Sequence, residues 1–233
     1  MAPSSEAYDL LIVAAFAPEL VAFQSLLGPT STARVGGLVV AARPVGIGLV
    51  SAATGTAARL ERARPRGVVL VGTCGAYPES GLGLGDVVIA RSILLLEPAV
   101  IDEEAGFPDP MSTKVEAHLA MSAAIAASGG KVVDVGTTLA ITTSDALATR
   151  LGQMSEVAVE HLEAFAVATA CAMHGVPFAA VLGVANAVGS MGREQWRARH
   201  VEAGRAAGSF VARWAQAGAA GVPHQASDYP AGL

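Results

Sequence analysis

The sequence predicts an α/β fold, a sheet covered on both faces by helices, and three observations carry that reading. Hydrophobic residues make up 52% of the 233-residue chain and charged ones only 15%, more apolar surface than a one-sided sheet would bury. Short apolar runs at 10–15, 67–71 and 178–184 fit buried strands, each ending in small or polar residues. Between them lie alanine-rich stretches of helical length, whose small side chains let a helix pack closely on a sheet.

In chain order, residues 10–15 read as the first buried strand. Pro18 suits the first turn of a helix carrying Glu19, Val21, Phe23 and Leu26. Gly36-Gly37 reads as a turn before a strand at 38–45, and Gly46-Ile47-Gly48 leads into a helix at 51–62. The strand at 67–71 runs into a glycine turn, Gly72-Thr73-Cys74-Gly75, and another strand spans 87–96. Residues 97–112 are loop-like, 114–127 helical by pattern and 132–143 strand. Ser144-Asp145 then caps a short helix. A helix headed by Glu163, the strand at 178–184 and a long helix from about 193 to 219 complete the domain. Nothing divides residues 1–220, which read as one domain. Residues 221–233, with two prolines and two glycines, read as a flexible tail.

Composition excludes several function classes. A net charge of −5 without a Lys/Arg run argues against nucleic acid and anionic membranes as partners. The apolar runs are interrupted too often to span a bilayer. The first residues, MAPSSEAYD, lack the basic and apolar regions of a signal peptide, so a cytoplasmic location is expected. Cys74 and Cys171 sit in apolar contexts and read as buried free thiols. His161, His174 and His200 lack metal-ligand spacing, so no metal and no cofactor are expected. Gly46-Ile47-Gly48 followed by Ser51 only superficially matches a dinucleotide fingerprint. It follows the wrong strand and lacks the acidic residue that would hold a ribose.

The informative segment runs from Val159 to Trp196. It sets a carboxylate, Glu163, at the head of an apolar helix, and ends the following strand in one polar side chain, Asn186. A buried carboxylate without donors is costly, so Glu163 needs hydrogen-bond donors to face it, and the hydroxyls of a sugar would serve. Glu19, Thr73, Glu163 and Asn186 each fall at or just beyond the predicted C-terminal end of a strand. A doubly covered α/β sheet builds its pocket there.

These residues resemble the nucleoside phosphorylase and nucleosidase superfamily, above all its hydrolytic branch of methylthioadenosine/S-adenosylhomocysteine nucleosidases and futalosine hydrolases. The markers keep the family's order from Leu10 to about Trp214. They are Ala15-Phe16-Ala17-Pro18-Glu19, Val45-Gly46-Ile47-Gly48, Gly72-Thr73-Cys74-Gly75, Gly83-Leu84-Gly85-Asp86-Val87-Val88, Leu162-Glu163-Ala164 and Ala185-Asn186. The resemblance implies a three-layer αβα fold with a central mixed sheet, and a homodimer.

It also implies roles. Glu19 would deprotonate the attacking water, Glu163 would bind the ribose hydroxyls and Asn186 would face the purine edge. Ile47, Leu147 and Leu162 would pack on sugar and base, Thr73 and Gly75 would line the floor, and Trp196 would act as a mobile lid. The substrate implied is a small purine nucleoside.

Two departures refine the expectation. Adenine-cleaving members carry Asp where this chain has Asn186, and an amide suits the edge of a 6-oxopurine such as the hypoxanthine of futalosine. Leu162 replaces the usual Met, with His161 just before it. Phosphorolysis stays open, with Arg43 and Arg91 as candidate phosphate ligands. Methylthioadenosine/S-adenosylhomocysteine hydrolysis and an inactive nucleoside-binding relative stay open as well.

Overall fold

The computed structural model describes residues 8–224. Its strands are β1 (Leu10–Ala14), β2 (Thr32–Val35), β3 (Leu38–Pro44), β4 (Gly67–Ala76), β5 (Val87–Leu95), β6 (Lys114–Glu116), β7 (Lys131–Thr137), β8 (Val159–Glu160) and β9 (Phe178–Ala187). Its α-helices are α1 (Gln24–Leu27), α2 (Leu49–Arg62), α3 (Pro98–Ile101), α4 (Leu119–Ala126), α5 (Asp145–Ser155), α6 (Ala164–Met173) and α7 (Gly192–Gln216). A 3₁₀ segment, Ala17–Phe23, precedes α1.

The sheet is mixed. β3, β1, β4 and β9 run parallel to one another, β2 pairs antiparallel with β3 at the edge, and β8 and β5 run antiparallel to β4 and β9. Beyond β4 the sheet curls. β9 joins β4 to β5, and β8 and β7 join the same two strands by the other route, so five strands close into a ring.

Side chains alternate across the strands, as a sheet buried on both faces requires. Leu11 and Val13 of β1 enter one core with Leu70 of β4, Leu182 of β9 and Val167 of α6. Leu10 and Ile12 enter the other with Val69, Val181 and residues Phe210 and Trp214 of α7. Helices thus cover both faces, and the expected three-layer α/β architecture with a central mixed sheet is found.

Close packing of α7 on β9 has a visible sequence cause. A Cβ at Gly183 would meet the Ala203 carbonyl oxygen at 2.2 Å, so only glycine lets the helix lie this near the strand.

Several boundaries differ from the sequence reading. Residues 114–116 form a short edge strand on β5, and the helix begins only at Leu119, with the His118 ring accepting from the Met121 N–H as a cap. Gly72-Thr73-Cys74-Gly75 is not a turn but the continuation of β4, because β9 pairs with it through Ala76. β7 stops at Thr137, leaving 138–144 as a loop before the Ser144 cap. The expected tail is packed where it is described. Val222 is buried, and the Pro223 carbonyl accepts from Arg66 Nε at 2.6 Å. The rest of that tail, 225–233, lies outside the described residues.

Candidate active site

The C-terminal ends of β1, β3, β4 and β9 point the same way, and a cavity of about 410 Å³ opens there. Glu19, Ile47, Thr73, Gly75, Leu162, Glu163, Asn186 and Trp196 all line it. Glu163 arrives differently from expectation: it follows β8, which runs antiparallel to β4, so its strand reaches the cavity from the opposite direction.

Glu19 lies on the 3₁₀ segment directly after β1, where an acidic residue favours the positive end of a helical turn. It is only 7% exposed. Its Oε1 accepts from the Thr73 N–H at 3.1 Å and from the Thr73 hydroxyl at 3.2 Å. Its Oε2 is buried without a hydrogen-bond partner among the described residues. Burial first, and then the charge of Glu163, push the Glu19 carboxyl up from 4.5 to about 7, against the opposing hydrogen bonds of Thr73 and the Ala15 N–H.

Glu163 stands at the head of α6, 5% exposed, with Oε1 accepting from the Gly48 N–H at 2.8 Å. Gly48 has φ +81, a conformation that glycine adopts without strain, and it turns its amide and the N-terminus of α2 onto the carboxylate. His161 completes this wall. Its Nδ1 accepts the backbone N–H groups of Glu163 and Ala164 at 3.2 and 3.1 Å, which assigns the ring proton to Nε2. Burial pushes its pKa down, with Glu163 opposing, so the 3.5 Å approach of Nδ1 to Glu163 Oε2 joins a neutral ring to a carboxylate and is not an ion pair. A Cβ at Gly72 would lie 3.1 Å from His161 Nε2 and 3.2 Å from Glu19 Oε1, so the two side chains close over β4 at its glycine.

The opposite wall begins with Asn186. The β4–β9 register skips Ala185 between Cys74 and Gly75, and this bulge sets Asn186 beside Gly75. Its Nδ2 donates to the Ala187 carbonyl at 2.8 Å. The carbonyl oxygen and the second N–H of the amide are then left for a ligand. Asp145 accepts from the Ser190 N–H and hydroxyl at 2.8 and 2.9 Å, fixing the loop that leads to α7.

Trp196, the expected lid, sits on α7, stacks on His200 with centroids 4.2 Å apart and donates Nε1–H to the Thr73 hydroxyl at 3.0 Å. Trp196, Thr73 and Glu19 thereby form one chain of hydrogen bonds along the cavity wall.

Leu147 does not line the cavity. The helix capped by Ser144 turns it toward Tyr77, Leu151 and Val188, and the preceding loop residues Ile141, Thr142 and Thr143 line the cavity instead. Arg43 and Arg91 also lie elsewhere. Arg43 donates to the Ser31 carbonyl and the Thr32 hydroxyl, and Arg91 pairs with Asp134. Sequence reasoning missed Glu160 and the rim arginines Arg193 and Arg197, which do line the cavity. The i, i+4 spacing of the arginines after the glycine loop was the available signal. No group of three His, Cys, Asp or Glu able to hold a metal occurs among the described residues.

The profile of the phosphorylase superfamily matches residues 8–217, and the chain belongs to that superfamily. Solved nucleosidases share its fold. The methylthioadenosine/S-adenosylhomocysteine nucleosidase of S. pneumoniae, solved with a transition-state inhibitor, is similar with a TM-score of 0.80 at 19% identity, over 89% of this chain and 98% of that one. The corresponding Colwellia psychrerythraea nucleosidase, in complex with adenine, gives 0.79 at 19% identity, over 92% and 96%. A futalosine hydrolase mutant of Helicobacter pylori gives 0.76 at 16% identity, over 87% and 96%. Such identities establish the fold alone. No curated protein matches the chain in sequence.

Proposed function

We propose that the protein hydrolyses the N-glycosidic bond of a purine nucleoside, with futalosine, in menaquinone biosynthesis, as the best-fitting substrate. The observation that carries this reading is the Glu19 carboxyl, which lines the cavity with Glu163 and Asn186 and is raised by burial and the Glu163 charge to about 7. Such a group can take the proton of a water that enters on its cavity side.

In the reaction the bond from the anomeric carbon to the base nitrogen breaks, its electron pair leaves with the purine, and the purine anion takes a proton from solvent, to which Glu19 returns the one it receives from the attacking water. The water oxygen bonds to the anomeric carbon and its proton passes to Glu19. A group poised near neutrality is well suited to take that proton. Glu163 accepts hydrogen bonds from the ribose hydroxyls, and the two carboxylates favour the oxocarbenium-like sugar. His161 contributes a neutral Nε2–H beside Glu19. Asn186 meets the purine edge with one donor and one acceptor, the pairing a 6-oxopurine offers in return. The water and the side chains carry the whole sequence, with no cofactor in it.

The groove between α2 and α6, where Val50 and Met173 stand 75% and 69% exposed beside Phe165 and Ala170, is the face on which we place a second copy in a cytoplasmic homodimer.

The test is incubation of the purified protein with futalosine, methylthioadenosine and inosine, with and without phosphate, following free base and sugar. Hypoxanthine release from futalosine without phosphate supports the reading. Strict phosphate dependence would move it to a phosphorylase, preferred cleavage of methylthioadenosine to an adenine nucleosidase, and binding without turnover to an inactive relative. Asn186→Asp supplies an acid for an adenine leaving group and raises adenosine-type turnover relative to inosine-type turnover about tenfold.

A further inference from the structure

The interior of the cavity is acidic, with Glu19, Glu160 and Glu163 among its lining, yet its rim is basic. Arg193 and Arg197 stand one turn apart on the first turns of α7, both exposed and both lining the cavity, which puts them at its opening. Arg66 and Arg150 are ion-paired with Asp9 and Asp102, but neither rim arginine has an ion-pair or hydrogen-bond partner among the described residues. Asp145 at the start of α5, whose carboxylate fixes the loop before α7, is already engaged by Ser190. Arg197 follows Trp196, which is joined through Thr73 to Glu19, and Arg193 follows Gly192, where an added Cβ would lie 3.2 Å from Asn186 Nδ2, so both stand on the segment that borders the cavity.

Resting on the nucleosidase reading above, we propose that Arg193 and Arg197 form an anion subsite that holds a carboxylate or phosphate borne by the substrate on the substituent at its 5′ carbon. Arginine presents planar N–H pairs that match a carboxylate or phosphate, and it gives up its hydration more readily than lysine. An anionic nucleoside approaching three interior carboxylates needs such an offset at the entrance, and two unpaired cations there also steer it. Free phosphate as the attacking group fits less well. It would have to pass the rim and settle between Glu19 and Glu163, where like charge opposes it.

The experiment compares two synthetic nucleosides that differ in one group, 5′-deoxy-5′-(3-carboxypropylthio)inosine and its primary carboxamide. Base release is measured with and without inorganic phosphate. The carboxylate is expected to exceed the carboxamide about 30-fold in kcat/KM in phosphate-free buffer, the scale of one charge-assisted hydrogen-bonded pair. That ratio should fall to within about threefold in Arg193→Gln/Arg197→Gln. Because the ratio is taken within one preparation, partial misfolding of a variant cancels from it. Arg197→Glu should reverse the order in favour of the 3-aminopropylthio analogue.

Equal turnover of carboxylate and carboxamide by the unaltered enzyme overturns the subsite and leaves the nucleosidase reading standing. Turnover that requires phosphate, with the arginine variants raising the KM for phosphate, assigns the arginines to a co-substrate and overturns it as well. No release of base from any of these inosines, with or without phosphate, removes the reading on which the subsite rests.

Discussion

Two buried carboxylates border the same cavity and are treated in opposite ways. Glu160 is surrounded by donors. Its Oε1 accepts from the Thr142 N–H at 3.0 Å, and its Oε2 accepts from the Thr142 hydroxyl at 2.5 Å and from the Tyr77 hydroxyl at 3.0 Å. Burial, and then the charge of Glu160, push the Tyr77 hydroxyl well above its ordinary pKa, which keeps it a donor. Glu19 has the Thr73 donors on one oxygen and only a weak approach of the Ala15 N–H besides, and burial with the Glu163 charge raises it to about 7. A satisfied carboxylate ties the 138–144 loop to the sheet. The other, incompletely satisfied and with its pKa raised, is the group proposed above to take a proton.

The largest expected effect comes from Glu19→Gln, which should cost about 10³-fold in kcat through loss of the base while leaving nucleoside binding near its original strength. The same change should stabilise the fold at neutral and alkaline pH. A carboxyl raised from 4.5 to about 7 on folding makes the native state bind the extra proton, so its contribution is fully present below 4.5 and is lost as pH rises through 7. That loss is on the order of 3 kcal/mol, and glutamine does not incur it. A thermal melt near pH 8 should therefore show the variant several degrees above the parent, with no such gap near pH 4. Equal melting at both would break the contrast between the two carboxylates.

The next effect is in the pH profile. With ionised Glu19 as the proposed base, kcat/KM should fall about tenfold per unit below 7 and level off above it. An acid limb near 4.5 would show that burial is not governing this group. Thr73→Val sharpens the point. The Thr73 hydroxyl favours the charged form of Glu19, so its removal should move the acid limb to higher pH and lower neutral-pH activity several-fold.

The smallest catalytic effect belongs to Glu160→Gln, which should stay within about threefold in kcat while losing roughly 1–3 kcal/mol of stability from mismatched donors. A chemical denaturation series reads the second quantity. A catalytic loss rivalling that of Glu19 would erase the distinction.

Much of this arrangement is legible in the amino-acid string, for reasons that are local. Strands buried on both faces announce themselves as apolar runs, so β1, β4, β5 and β9 are found near their true positions. A glutamate at the head of an apolar helix stands out, and Glu163 does. Elements made by their partners are not legible. β6 exists because Val115 pairs with Ile93 at an edge, although its sequence continues smoothly into a helix. β8 has two residues held between β4 and β7. The side of α5 that Leu147 takes depends on where the Ser144 cap starts the helix, and a shift of a residue or two turns Leu147 away from the cavity. The tautomer of His161 is set by backbone amides folded onto its ring, and the anchoring of Trp196 by a hydroxyl 123 residues away in sequence.

The most direct test is single-turnover base release from futalosine in phosphate-free buffer, run side by side with the parent protein and Glu19→Gln. The account predicts release by the parent and a rate at least about 10³-fold lower for the variant, with bound nucleoside retained. A Glu19→Gln protein that keeps a tenth or more of the parent rate would contradict it.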